Sequence, residues 1–133
     1  MASARVAQRV AVARAGTENL RPAELAAELA SAHPTLIDVR GAEETTAGII
    51  AGAIVVPRGL LEFSADPSTA HPSTHGRLAR FAPDQRLILY CTDGGRSALA
   101  VHVLYELGYV DVALLDGGLA AWLADGRSLV APS

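Results

Sequence analysis

The chain has one cysteine, no lysine and no apolar run long enough to cross a bilayer, and each gap removes a class of answer. A lone cysteine, Cys91, makes neither an internal disulfide nor a cysteine-based metal cluster, so it is a free thiol or a core residue. A reducing, cytoplasmic setting is therefore expected. Acidic side chains are missing from residues 1–16, yet Arg9 and Arg14 interrupt any signal-peptide core. A helical N-terminal extension packed on the domain is the simpler expectation for 1–16 than an organelle transit peptide. The eleven basic residues are all arginine and form no cluster, and the net charge is -3. Nucleic acid and membrane surfaces are accordingly not expected partners.

What is present describes a single packed domain. Half of the 133 residues are apolar and 19% are charged, enough to bury a core without disulfide or metal staples, and 17–130 is assigned to one domain. Short β-branched and apolar runs at 35–39, 54–56, 87–90 and 112–115 predict strands buried on both faces. Helical periodicity covers 20–32, with Pro22 in its first turn, 97–107, with Gly108 as its stop, and 118–124. Strands alternating with helices predict an α/β domain, a mostly parallel sheet covered on both faces, with ligands at the strands' carboxyl ends. Residues 64–75, rich in Pro, Ser and Thr, read as a loop.

The stretch that bears chemistry runs from the third strand through Cys91-Thr92-Asp93-Gly94-Gly95-Arg96 to a helix starting near Ser97. Successive amides of a tight loop that opens a helix converge on an anion, and the aligned peptide dipoles add positive potential there. Gly94 and Gly95 permit the backbone angles such a loop needs. Helix N-termini favour the thiolate form of a cysteine, so Cys91 is a candidate nucleophile. Arg96 brings a planar fork of donors for an anionic substrate, and Ser97 a hydroxyl beside it. From spacing alone a second reading stays open, in which Cys91 is a buried structural thiol and Gly-Gly merely shapes a turn.

Cys91 to Ser97 matches the Cys-x-x-x-x-Arg-Ser loop of the rhodanese family, and residues 20–130 resemble one rhodanese domain. Leu36-Ile37-Asp38-Val39-Arg40, the segment 47–54, Pro57 to Phe63, and Asp116-Gly117-Gly118 with Trp122 resemble further segments of that family. The resemblance implies a three-layer rhodanese-type domain with a central five-stranded parallel sheet flanked by helices. It also implies a sulfurtransferase that needs no cofactor. Cys91 would take the outer sulfur of a small anionic donor such as thiosulfate, and a thiol, cyanide or a protein sulfur acceptor would remove it. Related phosphatases and arsenate reductases place five residues between Cys and Arg, whereas four stand here, which favours sulfur over phosphate chemistry.

The chain departs from the family pattern at three places. Ile49 stands where a histidine is usual, Asp93 puts a carboxylate inside the anion loop, and Gly95 replaces a larger side chain. An inward-facing Asp93 would oppose thiolate and thiosulfate. Non-thiosulfate sulfur relay or partner binding is thus a second functional reading, and phosphatase-like chemistry a third. Asp38 and Arg40 either orient the loop or meet an anion, with a structural ion pair as the plainer reading. Arg58 is a candidate for the rim of the site or an ordinary surface arginine. His33, His71, His75 and His102 form no ligand set, so no metal is expected. Trp122 reads as core or interface packing.

Overall fold

The computed structural model describes residues 2–66 and 81–132, with side chains described from Arg5 onward. Five strands form one sheet in the order β1-β5-β4-β2-β3, every neighbouring pair parallel. The strands are β1 Glu18–Leu20, β2 Thr35–Asp38, β3 Ile54–Val55, β4 Leu87–Tyr90 and β5 Val112–Leu115. The helices are α1 Ala2–Ala15, α2 Pro22–Ser31, α3 Ala42–Thr45, α4 Leu61–Ala65, α5 Gly95–Glu106 and α6 Gly118–Ala124, with a 3-10 turn at Arg58–Leu60. This is the three-layer α/β architecture implied by the resemblance. No helix among the described residues is long and apolar enough to cross a membrane.

Strand periodicity divides the core between the two faces. Ile37 and Val39, Leu87 and Leu89, and Val112 and Leu114 turn toward α1, α4 and α5, where they meet Leu61, Ala98, Val101 and Leu104. Leu36, Ile88, Tyr90, Ala113 and Leu115 turn the other way, onto Leu25 of α2 and Leu119 and Trp122 of α6. Both sets are buried, so the strands read as continuous apolar runs rather than alternating ones. Trp122 is core, and its indole N–H donates to the Ser128 carbonyl.

Several boundaries differ from the sequence expectations. Leu20 ends an edge strand rather than opening a helix: Glu18 to Leu20 pair with Ala113 to Leu115, and Pro22, which lacks an N–H, begins α2. α5 starts at Gly95, two residues earlier than expected, because Gly94 takes a left-handed φ of 103° and turns the chain at once. Ser64 and Ala65 belong to α4 rather than to a loop, and the remainder of the loop expected to residue 75, with His71 and His75, lies outside the described residues. α1 packs on α5, with Val10 and Ala13 reaching the core.

Since β4 is the middle strand and is buried on both sides, truncating it leaves a cavity that neighbours fill only in part. Leu89→Ala is expected to lower the unfolding free energy by about 2–5 kcal/mol, read from the midpoint and slope of a urea titration.

Candidate active site

The side-chain alternation of β4 does not stop at Tyr90. Cys91 is the next residue and follows Leu87 and Leu89 onto the α5 side, fully buried. The chain then leaves the sheet, held by the start of α6. Leu119 N–H donates to the Cys91 carbonyl at 2.8 Å and Ala120 N–H to the Thr92 carbonyl at 2.9 Å. Gly118 makes this approach possible: its φ is 62°, and a β-carbon there would stand 2.7 Å from the Cys91 carbonyl oxygen. The Asp116-Gly117-Gly118 segment thus brings a second helix onto the cysteine loop.

With those two carbonyls bound by α6, the amides that follow are available to the sulfur. Gly94 N–H donates to Cys91 Sγ at 3.1 Å. Ser97 Oγ lies 3.5 Å from the same sulfur and also donates to the Gly94 carbonyl, at 3.2 Å. The first backbone bond of α5 runs from Ala98 N–H to the Gly94 carbonyl. The amides of 94–97 therefore have no carbonyl of their own helix to bind. The sulfur sits at the positive end of α5, against a left-handed glycine and a serine hydroxyl.

Acidic side chains already fill part of this cradle. Asp93 turns back into the loop: its Oδ1 accepts Gly95 N–H at 3.1 Å and stands 4.0 Å from Cys91 Sγ. Arg96 donates with both ends of its fork to Glu44 of α3, at 2.6 and 2.8 Å, and to Thr92 Oγ1 at 3.3 Å. Glu44 also accepts Gly41 N–H at 3.0 Å. The Arg96 fork first, and the Gly41 amide second, hold the Glu44 carboxyl far below its usual range, at about 2. Glu44 did not stand out in the sequence, since its partner lies 52 residues along the chain.

Asp38 and Arg40 form a buried ion pair just behind this cluster. The guanidinium spans both Asp38 carboxylate oxygens at 2.8–3.1 Å, and it also donates to the carbonyls of Gly48 at 2.8 Å and Glu44 at 3.2 Å. The pair thereby joins β2 to the α3 turn that carries Glu44. Burial pushes the neighbouring Tyr90 phenol up, and its hydroxyl accepts Ile50 N–H at 3.0 Å. Arg58 pairs with Glu62 at 3.1 Å and lines a groove of about 850 Å³ between α1 and α5, apart from the sulfur cluster. Ile49, at the usual histidine position, is buried and forms a backbone bridge with Val130. His102 is exposed and pairs with Glu106.

Comparison with known proteins places the chain within one family and fold. A family model described as a rhodanese-like domain matches residues 21–125. A sulfurtransferase of Allochromatium vinosum is 31% identical over 97 residues, covering 73% of this chain and 78% of that protein. The human thiosulfate:glutathione sulfurtransferase is 32% identical over 111 residues, covering 82% and 96%. Among solved structures, a Rhodopseudomonas palustris protein of unknown function, described as a possible tyrosine phosphatase, superposes with a TM-score of 0.80. It is 29% identical, with 94% of this chain and 93% of that chain covered. A human single-domain sulfurtransferase superposes with a TM-score of 0.69 at 28% identity, covering 81% and 96%.

Two outcomes follow from the contacts around the loop. Gly118→Ala forces a side chain onto the Cys91 and Thr92 carbonyls at a positive φ, and is expected to destabilise the protein by about 2–3 kcal/mol in chemical denaturation. Glu44 titrates near 2 when folded and near 4.5 when unfolded, so its pairing adds stability above pH 4.5 and loses it as pH falls toward 2. The melting-temperature gap between the protein and Glu44→Gln should therefore be constant above about pH 5 and close below pH 4.5, a trend that thermal scans across pH will test.

Proposed function

The chain belongs to the rhodanese-like family as a rhodanese-type transferase with sulfurtransferase relatives, and on that premise we propose a route for the sulfur. Sulfane sulfur passes from thiosulfate or a persulfide donor to a thiol or cyanide acceptor through a persulfide on Cys91. The supporting observation is the Cys91 sulfur itself, facing the Gly94 amide at 3.1 Å and the Ser97 hydroxyl at 3.5 Å in a loop that opens a helix.

In the first half-reaction the Cys91 thiolate attacks the outer sulfur of the donor. A new S–S bond forms, the donor's own S–S bond breaks, and its electron pair leaves with sulfite or with the donor thiolate. The terminal sulfur of the Cys91 persulfide then carries the negative charge. The Gly94 amide and the amides of Arg96 and Ser97 in the first turn of α5, with the Ser97 hydroxyl, are the groups available to that charge, the Gly95 amide being held by Asp93. Thr92 and Asp93 shape the mouth, and Arg96, in the first turn of α5, is the cation that the loop offers an anionic donor. In the second half-reaction an acceptor thiolate or cyanide attacks the terminal sulfur, the Cys91 S–S bond breaks, and the Cys91 thiolate is regenerated. The human relative's name makes glutathione the first acceptor to try. The proposed setting is cytoplasmic.

Phosphatase-like chemistry is the weaker reading, although one solved neighbour is described as a possible tyrosine phosphatase. Four residues between Cys91 and Arg96 leave one amide fewer than the five-residue cradle around a tetrahedral phosphate. Asp93, 4.0 Å from the sulfur, supports the alternative of sulfur relay between proteins instead of use of free thiosulfate.

Incubation with thiosulfate, and separately with cysteine persulfide, is expected to add sulfur mass to Cys91 in an intact-protein mass spectrum. Cys91→Ser should remain unmodified, with turnover reduced by at least about a thousandfold. Aryl-phosphate hydrolysis that depends on Cys91, without any sulfur uptake, would reverse the ranking.

A further inference from the structure

Building on that reading, we propose that Glu44 is a specificity-determining positioning residue. By occupying the fork of Arg96, with Asp93 holding the Gly95 amide, it turns the site from free thiosulfate toward the persulfide of a thiol.

The donors around the sulfur can be followed one by one. Gly94 N–H is directed at Sγ, whereas Gly95 N–H is taken by Asp93 Oδ1. Both Arg96 terminal nitrogens are taken by Glu44, one to each carboxylate oxygen, and Arg96 has Thr92 Oγ1 as a further neighbour. A sulfonate entering beside the persulfide sulfur would need the same cation and would meet the Asp93 carboxylate, 4.0 Å from Sγ. A thiol persulfide presents no sulfonate to this cluster. It needs only the amide and hydroxyl groups that stabilise the transferred sulfur.

Glu44 is built into place rather than resting loosely on the surface. Its carboxylate accepts Gly41 N–H, and its own carbonyl accepts a donor from Arg40, which is locked to buried Asp38. A bidentate carboxylate held by the Gly41 amide, on a turn whose backbone a buried ion pair fixes, loses little freedom on pairing with Arg96, so an incoming dianion competes against a preorganised rival. This contact also ties the buried Asp38–Arg40 pair to the site, through the Glu44 carbonyl.

The test compares donors in the full-length protein. Glu44→Gln removes the charge and keeps the shape. It is expected to lower the KM for the thiosulfate dianion by roughly three- to fivefold, the range of a half-exposed ion pair, and to lower the KM for cysteine persulfide and for a persulfidated peptide by less. Glu44→Asp should return the thiosulfate KM toward that of the unaltered protein, and Arg96→Ala in the Glu44→Gln background should erase the gain. The small and peptide persulfides distinguish a metabolite donor from a protein one. If Glu44→Gln raises the thiosulfate KM or leaves it unchanged while Cys91 still loads sulfur, Glu44 does not oppose thiosulfate and the inference fails alone. If no donor places sulfur on Cys91 of the unaltered protein, the sulfur-transfer reading fails first and takes this one with it.

Discussion

Everything at the site depends on β4 being covered on both faces. A central strand between β2 and β5 has all its backbone groups paired, and its side chains must alternate between two dry layers. Cys91 is the first residue past the last paired position, and alternation alone decides that its sulfur turns toward α5. A one-residue slip in register would turn the sulfur toward the α6 side instead. The thiol is thus core-like in burial, yet its sulfur meets a backbone amide and a serine hydroxyl rather than apolar side chains alone.

The chain leaves the sheet under a second constraint, the bonding of the Cys91 and Thr92 carbonyls by α6. Peptide units are rigid, so fixing two carbonyl directions limits which way the next amides can point. Gly94 then completes the turn in the left-handed region, where it donates to the sulfur and caps α5. Two helix N-termini therefore act on one loop: α5 supplies amides to the sulfur, and α6 holds the backbone that presents it. Gly118 is required because the approach is backbone to backbone, with no space for a β-carbon.

Much of this was legible in sequence because it is local. The runs at 35–39, 87–90 and 112–115 carry strand signatures, and the order of strand, glycine loop and helix around Cys91 lies within one short stretch. β1 escaped notice because a three-residue edge strand, Glu18–Leu20, has too few residues to show a period, and its Leu20 fits a helical face equally well. α3, a single turn, has no periodicity to read. Glu44 was out of reach for a different cause. Nothing in Glu43-Glu44 tells which of them meets Arg96, and that follows only from how Arg40, bound to Asp38 and to the Glu44 carbonyl, orients the turn. Asp93 was recognised as a conflict of charge, but its orientation came from a backbone contact to Gly95 that composition does not reveal.

The charge arrangement then has a consistent logic. A loop of open amides at a helix start attracts any anion of the right size, and an arginine at its rim strengthens that attraction without discriminating. Selectivity requires part of the field to be cancelled where unwanted charge would sit, with the part at the sulfur left intact. Asp93 and Glu44 meet that requirement in different places. Asp93 neutralises an amide inside the loop, and Glu44 neutralises the guanidinium at the rim, while Gly94 and Ser97 remain directed at Cys91. The groups that meet the sulfur and the cation that would admit anions are thereby separated, although both stand at the same helix end. The separation depends on the buried Asp38–Arg40 pair, because a Glu44 free to swing would release Arg96 to any passing anion.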